Sequence, residues 1–191
     1  IQKVSATLGE NTLNLGLQAG LIGLIIVSMY LILYYRILGL VAILGLTSFG
    51  LLFYSVISLL GEYQGFTLTL SGIAGIIVSI GLAADSYIVT FEKFKDEIKI
   101  GRSFQFAADK AATDAWKTIV TADFVSLSAA LLLYVLAIGP IRGFALALGV
   151  ATIFDLFFTR LYTRNTVPLV STFSKSPRGY FPIKMKDLVN D

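Results

Sequence analysis

The chain contains no cysteine and no histidine. Without cysteine there is no disulfide and no thiolate metal site. Without histidine the usual metal ligand and the usual near-neutral proton carrier are both missing, so any proton handling falls to carboxylates. Charge is scarce as well: 14 % of the 191 residues are charged and 56 % are hydrophobic, with a mean hydropathy of +0.81. A soluble domain of this size needs far more polar surface, so the composition points to a membrane protein. There is also no nucleotide-binding loop, metal cluster or catalytic triad. The expectation is therefore a protein that is not an enzyme, holds no cofactor and binds no nucleic acid. The sequence opens on Ile1 without a methionine or a signal-peptide layout, which leads us to expect a segment of a longer protein.

What is present is a series of apolar runs, each close to the ~20 residues a spanning helix requires. We expect spans over 14–34, 37–60, 68–91, 118–138 and 143–162, forming a bundle within 13–170. Residues 1–12 read as an extracytoplasmic segment from an upstream domain, and 171–191 as a polar, basic tail. Tyr34, Tyr35 and Arg36 close the first span with interfacial aromatics and a cation. Residues 61–65 and 139–143 read as turns. Between the third and fourth spans, Phe104, Ala107, Ala108, Ala111 and Ala115 recur at helical spacing opposite Asp109, Lys110 and Asp114. This pattern predicts a short surface helix over 103–117, capped by Ser103, with Trp116 at headgroup level. The fold class is thus all-α: five transmembrane helices plus a short cytoplasmic surface helix. Of the 15 lysines and arginines, 13 fall in the 35–36 turn, the 92–117 stretch and the segment from 160 onward. That asymmetry places those parts in the cytoplasm and residue 1 outside.

Three carboxylates lie inside the apolar runs. At ~1.5 Å per residue, Asp85 sits roughly 10 Å before the charged boundary at Glu92, Asp123 roughly 9 Å beyond Lys117, and Asp155 roughly 8 Å before Arg160. All three fall at similar heights in the cytoplasmic half. An intramembrane acid is a functional candidate by default, because its charged form is costly in hydrocarbon. Gly81 beside Asp85, Ser126 beside Asp123, and Ala151, Thr152 and Thr159 beside Asp155 are small or hydroxylated, which favours an interior face for each acid. Arg160 and Arg164 offer Asp155 a structural ion pair instead. Glu92 reads as a boundary charge, and the glycines at 16, 20, 72, 75 and 81 read as helix-packing positions. A buried carboxylate pair can bind and release a proton, and losing that charge permits a different helix packing. The residues alone give a proton-coupled membrane bundle.

Several stretches resemble the C-terminal membrane part of the SecD/SecF export family, within the resistance–nodulation–division superfamily. LSGIAG at 70–75 and GLAADSYIVTFE at 81–92 are similar to the family's fourth-helix motif. VSATLG at 4–9, the run from Ala19 to Ala42, TAD at 121–123 and GPIRGF at 139–144 resemble neighbouring parts of it. Phe91 and Glu92 resemble the SecD branch rather than the SecF branch. Tyr87 departs from the amide usual two residues after the acid, and Asp155 stands where many relatives have a small polar residue. The resemblance implies half of a membrane domain that uses the proton motive force to promote protein export. Asp85 would be the main proton carrier, supported by Asp123 and more weakly by Asp155. Gly81, Ser86, Ser126, Gly139, Pro140 and Gly143 would support or pack the site, with protons as the coupling ion. It also implies SecF, the SecYEG translocon, exported preproteins and the lipid bilayer as partners. The alternative is a proton-coupled small-molecule or lipid exporter half of the same superfamily.

Overall fold

The computed structural model describes residues 6–64 and 70–173. Within them five helices follow one another: α1 (Ala6–Tyr35), α2 (Ile37–Gln64), α3 (Leu70–Lys99), α4 (Phe104–Leu136) and α5 (Pro140–Phe173). Each contains a stretch long and apolar enough to cross a membrane. A membrane core offers the backbone no water to bond, so helices that satisfy themselves internally are the natural outcome.

The joints are short and chemically legible. Arg36 alone separates α1 from α2, in the left-handed region at φ 49°. Three residues on, a Cβ at Gly39 would collide with the Leu31 carbonyl, so only glycine lets α2 leave α1 this closely. Gly101, at φ 84°, closes α3: its N–H bonds the Ile98 carbonyl while the Arg102 N–H bonds that of Glu97. This is a Schellman end. Gly139, at φ 63°, precedes Pro140 at the first position of α5, so the turn between α4 and α5 is shorter than the expected 139–143: residues 140–143 are already helical.

Several boundaries differ from expectation. The segment 103–117 is not a separate surface helix; it is the first half of α4, continuous with the fourth span. Ser103 sits at the N-cap but its side chain makes no capping bond. α3 runs past residue 91 through the charged stretch to Lys99, and α2 continues through the turn expected at 61–65 as far as Gln64. α5 begins at Pro140 and holds Pro168 within it, beyond the 143–162 span. The chain before residue 6, the rest of the second turn and the tail from 174 lie outside the described residues.

Two kinds of packing hold the bundle. α3, α4 and α5 meet through small side chains: Ala83, Ala84, Ala107, Ala108, Ala111, Ala115, Ala130, Ala147 and Ala151 are buried. Small residues let helix backbones approach closely where lipid gives no hydrophobic drive to associate. At Gly75 a Cβ would stand 2.9 Å from the Phe144 carbonyl oxygen. The α1–α2 pair instead joins through an aromatic layer. Phe49 of α2 touches Phe154 and Phe158 of α5, with ring centroids 5.7 and 5.9 Å apart, and Tyr35 of α1 lies 5.3 Å from Phe91 of α3. Such contacts add about 0.5–1.5 kcal/mol each beyond the area they bury. Leucines and isoleucines of α1 point outward along most of its length, as a lipid-facing helix requires.

Candidate proton-binding site

The three acids share a depth but not a direction. Asp155 of α5 is 3 % exposed, and both its carboxylate oxygens are bonded. Ser86 of α3 donates to Oδ2 at 2.9 Å, and Thr159, one turn along α5, donates to Oδ1 at 2.8 Å. The arginine pairing expected for it does not form. Arg160 instead lies over the Trp116 ring, 4.8 Å from its centroid, and Arg164 is exposed. Asp123 of α4 is 5 % exposed, and its Oδ2 has no hydrogen-bond partner among the described residues. Asp155, on the neighbouring helix, is near enough to act on its charge.

Asp85 is placed differently. It precedes Ser86 by one residue, about 100° around the helix, and it is exposed on the outer face of α3. Ala74, Val78 and Gly81 share that face and are also exposed. A Cβ at Gly81 would meet nothing within 4 Å, so among the described residues this glycine packs against no other helix, whereas Gly20 and Gly75 do. The interior face expected for Asp85 is therefore corrected: the small residues beside it border open space. Ser126 is half-buried on α4.

Residues outside the sequence's candidate site complete the surroundings. Tyr87 is 1 % exposed, with its ring edge-on to Tyr162 at 5.8 Å and its hydroxyl unpartnered among the described residues. It fits because position 45 on α2 is glycine: a Cβ there would collide with the Tyr87 hydroxyl. Tyr162 in turn donates to the Val41 carbonyl at 2.9 Å, tying α5 to α2. At the basic end of α3, Glu92 is more than a boundary charge. It accepts from the Tyr35 hydroxyl at 2.9 Å and from Lys95 at 3.1 Å. Of the two hydroxyls on Asp155, Thr159 is signalled by sequence, since a residue four positions after an acid shares its helix face.

The combination is a helical membrane unit with a buried carboxylate pair inside it and a third acid on an open face at the same depth. Proteins that couple ion movement to conformational change carry intramembrane acids of this kind. The chain belongs to the SecD/SecF C-terminal family: the profile of the family described as "Protein export membrane protein SecD/SecF, C-terminal" matches residues 1–171. The protein translocase subunit SecD of Mycobacterium tuberculosis H37Rv is 49 % identical over 175 residues, covering 92 % of this chain and 30 % of the relative. The SecD subunit of Streptomyces coelicolor is 41 % identical over 171 residues, covering 90 % of this chain and 30 % of that one. Among solved structures, SecDF of Thermus thermophilus, described as a translocon-associated membrane protein, superposes with a TM-score of 0.79. Its identity is 31 %, covering 89 % of this chain and 23 % of that one. The chain thus spans under a third of the length of these relatives.

Proposed function

We propose that this chain is the membrane half of an accessory subunit of the Sec translocation machinery, using the proton motive force to promote export of proteins across the cytoplasmic membrane. The observation that carries the reading is Asp85, an acid within an apolar helix that faces outward between small residues. A charge at that depth is tolerated when protein or a water-filled cavity covers it, rather than lipid. The occupant of that face is a second, related membrane half, SecF, and Asp85 binds its proton at the junction between the two. Asp123 and Asp155 support it as an internal pair. The SecYEG channel and the exported preprotein are the further partners in this reading; that relatives are named a protein translocase subunit and a translocon-associated membrane protein supports it. The basic ends of α1, α3, α4 and α5 face the cytoplasm by the positive-inside bias, with residue 1 extracytoplasmic.

The test is gradient-driven export of a preprotein in membrane vesicles that hold the full-length subunit and its partner. With Asp85→Asn the stimulation by the proton gradient is lost while the complex still assembles. Full stimulation in that variant would remove Asp85 from the mechanism. Cysteine pairs placed at Gly81 and on the partner half are expected to crosslink; their failure to do so would remove the junction.

A further inference from the structure

A polar cavity of ≈ 140 Å³ opens between α4 and α5 at the basic end of the bundle. Asp109, Thr113, Trp116 and Ile119 line it from α4, and Arg160 and Thr163 from α5. Its lining residues Ile119 and Thr163 stand on the same helix faces as the two buried acids. On α4, Asp123 lies one turn below Ile119 on the same face. On α5, Asp155, Thr159 and Thr163 form a polar stripe at four-residue intervals, buried at every step. Thr159 donates to the Asp155 carboxylate and Thr163 donates to the Thr159 carbonyl at 2.6 Å. The Oδ2 of Asp123 is unpartnered among the described residues. A buried carboxylate oxygen with no such donor calls for water or a proton, because leaving it bare is costly.

We propose that the α4–α5 crevice is a hydrated passage through which water, and the protons it carries, reaches Asp123 and Asp155 from the basic end of the bundle. The chain then has two carboxylate sites with separate access: Asp85 through the outer face of α3, and the Asp123–Asp155 pair through its own crevice. Arg160, stacked on Trp116 beside the mouth, and Asp109 give the opening charged walls that hold water. Ile119 is the apolar step between the cavity and the pair. The inference takes its cytoplasmic sidedness from the orientation proposed above, and it does not depend on the export activity.

The absence of cysteine from this chain makes thiol labelling direct. Single cysteines at Ile119 and Thr163 are placed in the full-length protein with its partner, in sealed vesicles of both orientations. They are treated with a membrane-impermeant methanethiosulfonate and read by mass spectrometry. The reference is Phe157→Cys, an exposed position on the outward side of α5 between the depths of Asp155 and Thr159. A thiol in lipid stays protonated and unreactive, so Thr163→Cys and Ile119→Cys are expected to react about tenfold faster or more than Phe157→Cys. Thr163→Cys changes volume little, and it carries the comparison if Ile119→Cys fails to accumulate. Rates equal to Phe157→Cys overturn the passage. Fast reaction confined to the extracytoplasmic side keeps the passage and overturns the orientation.

Discussion

The outer face of α3 and the interior between α4 and α5 hold the same functional group at the same depth and treat it in opposite ways. Inside, Asp155 is fixed by two hydroxyls from two helices, and Asp123 shares its surroundings. Outside, Asp85 has no ion pair among the described residues, and the glycine one turn before it borders empty space. An acid that is fully bonded within its own chain contributes to the stability of that chain. An acid left open contributes nothing to it until something else arrives. The comparison separates an acid this bundle uses in its own packing from one that its own packing leaves open.

That separation can be broken by experiment, and the largest effect is expected at Asp85. Asp85→Asn should abolish the response of export to the proton gradient while shifting the unfolding free energy of the purified chain by less than about 0.5 kcal/mol. A large loss of stability would mean that Asp85 is structural after all. The glycines give the next contrast. Gly45→Ala drives a methyl into the Tyr87 hydroxyl and the Tyr162 ring, and should destabilise by about 1–3 kcal/mol. Gly81→Ala should leave the thermal midpoint unmoved and weaken only association with the partner half. Similar midpoints for the two variants would erase the distinction between the inner and outer faces. Asp155→Ala should cost about 1–2 kcal/mol, since it strands the Ser86 and Thr159 hydroxyls in the interior. Asp155→Asn should recover part of that, because the amide keeps an acceptor. Smallest of all, Ser103→Ala should fall below about 0.5 kcal/mol, less than a typical N-cap loss, because the Ser103 side chain makes no capping bond.

The depth of the acids was readable from sequence because the rise of a helix is fixed, so counting from a charged boundary locates a residue along the axis. Its direction around the axis was not. Small residues beside Asp85 permit close packing, and the sequence does not say whether another helix of this chain takes that place; none of the described ones does at Gly81. Ser86, 69 residues from Asp155, could not be paired with it by any local rule. The absence of a separate surface helix has a different cause. Nothing between Phe104 and Leu136 is a glycine or a proline, so no residue breaks the helix where the charged half gives way to the apolar half. The change of surroundings along α4 is not a change of element. The arginine pairing with Asp155 failed for a reason that lies on another helix. Trp116 of α4 offers Arg160 an aromatic face, and the guanidinium stacks there rather than turning back toward the acid.

The unbroken α4 also has a mechanical meaning. At ~1.5 Å per residue its 33 residues make a rod of about 50 Å, well beyond the ~30 Å thickness of the hydrocarbon. Asp123 sits partway along it, about 28 Å from the Phe104 end by the same rise. A rod of that reach amplifies: tilting it by about 10° at the level of Asp123 displaces its far end by about 5 Å, the rise of a single helical turn. With neither glycine nor proline between its ends, α4 has no hinge to absorb such a tilt, so a small rotation at the acid would reach the far end undiminished.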